Sequence, residues 1–189
     1  MGIENKIVAR RFSPEQRQGL EAVGFTFCMK VQPLSIGQLY EDRELRSCFG
    51  YVHGLLQIRS VVPIAREVVV NPKQLALPEA QTTEEFVRQL RERSLTGGTL
   101  EGVDFGMDCA SVYAQLEFGY QRTFGRKLFS DFFASTIDEI DSGTGSSFLL
   151  ALVGRRDIGD RLVIPGRHRD DSAPHIRIVL VATPLEICD

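Results

Sequence analysis

Long apolar runs are absent from this chain. The longest, Phe148–Val153 and Ile178–Ala182, fall far below the roughly 18 residues that a helix needs to cross a bilayer. A membrane span is therefore excluded on length. Met1-Gly2 opens like an acylation signal, but Lys6 stands where that signal needs Ser or Thr.

Metal ligands at short spacing are also absent. Cys28, Cys48, Cys109 and Cys188 are scattered with no Cys-x-x-Cys pair, and His53, His168 and His175 are the only histidines. Zinc sites draw on clustered Cys and His, so neither metal nor cofactor is expected. Met1–Ser13 carries no apolar signal stretch, which points to free, buried thiols in a cytoplasmic protein rather than disulfides in an exported one. A positive field is missing too. The net charge of -3 argues against nucleic-acid binding, which would need a local basic patch. Lys6, Lys30, Lys73 and Lys127 are the only lysines, so the cations are mostly arginine. Arginine suits bidentate grip on carboxylate or phosphate, although coding bias yields the same excess.

Nucleophile motifs fail in turn. Gly-x-Ser-x-Gly does not occur, and Cys109 stands near Asp104 and Asp108 rather than a basic group, surroundings that disfavour a thiolate. Asp141–Ser147 is rich in glycine and hydroxyls, but no lysine follows and it leaves an expected helix for a strand. A phosphate loop has the opposite order.

What is present is an ordinary globular composition, 43% apolar and 25% charged over 189 residues. A chain of this length hides about 70% of its unfolded surface, enough for one domain over residues 1–189 with no linker in sight. Ser13-Pro14-Glu15-Gln16 has the cap, the first-turn proline and the returning Gln of a helix start. That predicts a helix over Pro14–Val23, with strands at Lys6–Phe12 and Phe25–Val31. Ser35 with Gln38 repeats the pattern, and Leu45, Phe49, Val52 and Leu56 fall on one helical stripe. The cost of Gly50 and Gly54 inside a helix favours one that ends near Cys48, with Tyr51–Arg59 as a strand against Ile64–Val70 the alternative to its continuation. Thr83-Glu84-Glu85 starts a helix whose arginines sit toward its end.

Val103–Cys109 and Val112–Tyr120 alternate apolar and polar residues, which favours two strands; a helix begun by Asp108 is the alternative for the second. Arg126–Ile140 is helical by spacing, with Leu128, Phe129, Phe132, Phe133, Ile137 and Ile140 inward and Asp131, Asp138 and Glu139 in water. Phe132 is expected to anchor that face. Phe148–Val153, Arg161–Ile164 and Ile176–Ala182 read as central strands.

The most reactive-looking segment is Gly166–Ser172, a polar loop between two strands. There His168 could act as acid or base with Asp170 or Asp171 orienting it, while Arg167 and Arg169 hold an anion. The same residues also suit a plain solvated loop. His53 and His175 are further candidates, reachable only through the fold. Asp104 and Asp108, about 13 Å apart on one face of a strand, are too distant to share an ion.

These readings converge on an α+β domain with a mainly antiparallel or mixed sheet of about five to seven strands and about three helices packed chiefly on one face. The leading functional expectation is a non-catalytic module that binds a ligand or protein partner and self-associates. The second is a metal-independent enzyme acting on an anionic small molecule through Arg167–Asp171. The first calls for an exposed apolar patch or strand edge, the second for a pocket where a histidine faces arginines.

Overall fold

The computed structural model describes residues 10–52, 61–77, 82–94, 99–141, 148–154, 161–168 and 175–185. Local capping signals build the first helices. In α1 (Pro14–Ala22) the Ser13 hydroxyl accepts the Gln16 N–H at 3.2 Å, and the Gln16 side chain accepts the Ser13 N–H at 2.9 Å. Ser35 and Gln38 form the same reciprocal cap on α2 (Ile36–Glu41). Asp42 then ends α2 and caps α3 (Arg43–Arg46), so the expected single helix is two short ones. Thr82 and Glu85 cap α4 (Thr83–Ser94) in the same way.

The expected single sheet is two. The first joins β1 (Phe27–Val31), β3 (Arg66–Val70), β10 (Val181–Pro184) and β4 (Val103–Gly106) in that order, all antiparallel. The second runs β2 (Phe49–Val52), β7 (Leu162–Ile164), β6 (Phe148–Gly154), β5 (Phe133–Asp141) and β9 (Ile176–Ile178), with β8 (Gly166–His168) also on β6. It is mixed, because β2 and β7 run parallel, as do β5 and β9. The apolar stretch Ile176–Ala182 is therefore no single strand: buried Val179 and Leu180 carry the chain from one sheet to the other. Tyr51 and Val52 belong to β2 beside β7 rather than β3, and residues 53–60 lie outside the described ones. Of the expected first strand, Arg10 makes a parallel bridge to Arg66, and residues 6–9 are not described.

Helices cover both faces of the first sheet, which corrects the expected one-sided packing. Val69, Ala182 and Phe105 sit in register on one face and pack with Leu20 of α1 and Phe86 and Leu90 of α4. Phe27, Val31, Val68 and Val70 face the other way, into a core shared with α5 (Ala110–Phe124) and the second sheet. α5 packs against β1 on one side and β5 and β6 on the other.

This position explains why Cys109–Tyr120 reads as a strand. Every residue of Ala110–Phe118 is buried, so the helix carries no polar face to reveal its period, and an all-apolar surround is the mark of a central helix. Gly125, at φ 65, ends it in the left-handed conformation that glycine tolerates best. The next segment is no helix either. Glu117, fully buried in α5, accepts the Leu128 and Phe129 N–H groups at 2.9 Å each, which holds the chain in a turn before β5. Phe129 is the buried anchor there, whereas Phe132 is only partly buried. Of the expected wet face Asp131 and Glu139 are exposed, but Asp138 is 7% exposed, and Ile137, expected inward, is 57% exposed.

Among the described residues no helix is long and apolar enough to cross a membrane.

Candidate functional site

The residues singled out in the sequence do not assemble into one site. Gly166–His168 is not loop but strand, paired in register with Leu149–Ala151. The His168 side chain lies outside the described residues, as do His53, Arg169, Asp170, Asp171 and the glycine-rich 142–147. Arg167 is half-buried, and its Nη2 is shielded from water without a hydrogen-bond partner among the described residues. His175 is exposed before β9, its carbonyl accepting the Phe133 N–H at 2.8 Å and its ring 6.0 Å from the Phe133 ring. Strands β5 and β6 stand between β8 and β9.

Cys109 is buried at the N-cap of α5. Burial, with the Asp108 and Asp138 carboxylates adding to it, pushes the thiol up to about 12 against the pull of backbone hydrogen bonds. A thiol so raised is unreactive near neutrality.

The structure instead builds a cleft of about 280 Å³ on the face of the first sheet that also carries α5. Arg66 of β3, Val181 and Thr183 of β10, and Asp104 and Gly106 of β4 floor it, while Met107, Asp108 and Ile137 wall it. Ile64, Met107, Ile137 and Leu185 are 56, 40, 57 and 51% exposed and all line this one opening.

A bulge in β5 creates the wall. Ser135 pairs with Leu152 but Glu139 with Leu150, so Thr136–Asp138 stand out of register with β6. Bulges re-aim side chains, frequently beside functional sites. Here Thr136 turns inward and donates its hydroxyl to the Ala151 carbonyl at 2.9 Å, and Asp138 turns inward to accept the Ala110 N–H at 2.7 Å. Ile137 between them points out, its N–H donating to the Asp108 carbonyl at 3.1 Å.

Asp108 ties the wall to the floor. One carboxylate oxygen accepts the Cys109 N–H at 2.8 Å and the other accepts the Arg66 guanidinium in a nearly buried ion pair. The Asp108 N–H donates to the Tyr113 hydroxyl at 3.1 Å, which donates onward to the Val179 carbonyl at 2.6 Å. Burial raises the Tyr113 phenol above its ordinary value, with Asp108 and Cys109 adding to the rise against a hydrogen bond from the Asp108 backbone. Burial likewise raises Asp138, its hydrogen bond to Ala110 lowering and the Asp108 charge raising it further. The helix N-terminus is thus closed by the protein's own carboxylates and is not open to an anion.

Among the described residues no three metal-ligating side chains come together. Asp104 and Asp108 do line one cleft, because Asp108 lies beyond the end of β4 rather than within an extended strand. Arg66 and Ile137 carried no local signal: their meeting depends on the bulge and on β3 starting beside the N-terminus of α5.

No family model matches this chain, and comparison with curated proteins and with solved structures finds no match.

Proposed function

We propose that this protein is a non-catalytic binding module whose cleft receives apolar side chains of a protein partner. The observation that carries this reading is the convergence of Ile64, Met107, Ile137 and Leu185, all exposed, on one opening. Scattered surface apolar residues are ordinary, but contiguous ones mark interaction sites. The polar groups around the cleft support binding over chemistry: Asp108 is tied to Arg66, Asp138 to Ala110, and Tyr113 to a backbone carbonyl.

The test is selection of a displayed library of random peptides on the purified protein. Peptides bound by the wild type and lost with Ile137→Asp support the reading. Peptides that bind both proteins equally, or no enrichment at all, overturn it.

A second reading has one observation in its favour. The unpartnered Arg167 Nη2 is a buried donor of the kind that a bound anion satisfies, as an enzyme or receptor for an anionic small molecule requires. A rise in melting temperature with inorganic phosphate or citrate, lost in Arg167→Leu, supports it. An equal response in the two proteins rules it out.

A further inference from the structure

We propose that the partner enters as an extended strand along the outer edge of β4, with a basic residue opposite Asp104 and an apolar residue two positions away, opposite Gly106; the inference rests on the binding reading above and adds how the partner is recognised.

The first ground is the backbone. β4 ends the order of the first sheet, with β10 on one side and no strand on the other among the described residues. The Leu185 N–H donates to the Gly102 carbonyl at 2.8 Å, and Pro184, which has no N–H, stands opposite Val103. Bonded and non-bonded pairs alternate along an antiparallel ladder. Asp104 and Gly106 therefore turn their backbone groups to β10, while Phe105 turns its N–H and carbonyl away from it. Such an edge is a template for another chain. Strand addition draws its affinity from the backbone and its specificity from alternate side chains.

The second ground is that this edge is also the rim of the cleft. Asp104 and Gly106 lie on one face of β4 and line the cleft together with Met107. Cross-strand neighbours share a face, so every second residue of an added strand stands over the opening. A Cβ on Gly106 would meet nothing within 4 Å. That space admits the partner's apolar side chain beside the exposed Met107.

Charge selects the partner. Of the charged groups that line the cleft, Arg66 and Asp108 are closed on each other, and Arg10 has an interaction of its own. Asp104 is exposed and makes no hydrogen bond or ion pair among the described residues. It stands on the edge strand itself, where it repels an acidic strand and draws a cation to the position directly across.

The displayed random peptides of the selection above are the probe. Those enriched on the wild type should carry Lys or Arg two positions from Leu, Ile, Val or Phe. In fluorescence anisotropy the tightest of them should bind Asp104→Lys about tenfold or more weakly, and Asp104→Lys should regain affinity for the same peptide with Glu in place of its basic residue. Gly106→Leu, which fills the space over β4, should weaken binding as well. Methylating the peptide's backbone nitrogens one at a time should cost about fivefold at alternate positions, a periodicity that docking through side chains alone does not produce. Circular-dichroism melting confirms that each variant is folded. Enriched peptides without the spacing, or bound equally by Asp104→Lys, overturn the inference and leave the binding reading standing, whereas a library that enriches nothing overturns both. Methylation tolerated at every position overturns strand addition. A wild type that dimerises in sedimentation velocity, with the dimer lost in Asp104→Lys, makes a second copy the occupant of the edge and overturns the inference too.

Discussion

The Asp138 carboxylate accepts the Ala110 N–H at 2.7 Å, so a strand of the second sheet caps the helix that supports the first. Few single contacts tie as much of the molecule together. It also carries a charge into the interior, and the raised proton affinity of Asp138, caused first by burial, makes it sensitive to pH.

The sign follows from linkage. A carboxylate whose folded pKa lies above its unfolded one binds protons more tightly when folded. Its contribution is fully present below the ordinary carboxylate value of about 3.9 and is lost as pH rises through the raised folded value. Asp138→Asn retains a carbonyl oxygen to accept from Ala110 without the charge. Urea unfolding at a series of pH values should show a flatter dependence for Asp138→Asn than for the wild type, with the two curves separating above about pH 4.

Removing Arg66 should be more damaging than removing any surface cation. Its partner Asp108 is 8% exposed in the ion pair, and stranding a buried charge costs about 3–5 kcal/mol. Arg66→Leu is expected to lose that much in chemical denaturation. Combining it with Asp108→Asn should recover a good part, because the amide oxygen still accepts the Cys109 N–H while no charge is left alone.

Glu117 holds two backbone amides in the interior. Glu117→Leu leaves both without an acceptor, an effect of about 1–3 kcal/mol for each group. Glu117→Gln keeps one oxygen and should cost clearly less. Hydrogen exchange at Leu128 and Phe129 checks the assignment: both amides should exchange faster in Glu117→Leu, while those of β3 keep their order of protection.

Phe129 and Phe132 separate a packed ring from a partly covered one. Phe129 is fully buried, its ring 6.0 Å from that of Tyr113, and Phe129→Ala should cost about 3–5 kcal/mol. Phe132→Ala should cost less than half of that in the same urea titration.

What the sequence revealed depended on how local the signal was. α1 and α2 are announced by Ser13 and Ser35, because a cap is made by residues three apart, and α4 by the acids after Thr83 and the arginines toward its end. Val103 and Phe105 alternate with exposed Asp104 as a half-buried strand should. α5 surfaces only as the less favoured alternative, for the opposite reason: with Gln115 and Glu117 buried among apolar neighbours, little in its pattern distinguishes inside from outside. Leu128–Ile140 misleads because its helical spacing is coincidental, the true arrangement being fixed by Glu117 in another element and by a bulge that reverses Ile137 and Asp138. The cleft draws on Arg66, Asp104, Asp108, Ile137 and Leu185, whose proximity no spacing rule expresses. Asp104 and Asp108 came nearest, and the extended-strand distance that set them aside does not apply past Gly106.

The place of β10 between β3 and β4 bears on how the molecule is made. On a translating ribosome β3 and β4 emerge early, yet the strand that joins them follows the whole second sheet. Until Val181–Pro184 arrive, both carry unsatisfied edges, and the apolar face beneath α1 and α4 lacks Ala182. Such long-range pairing is slow and leaves sticky intermediates exposed. Completion of the first sheet therefore waits for β10, and a nascent polypeptide halted before Val181 is the form that chaperones would have to guard.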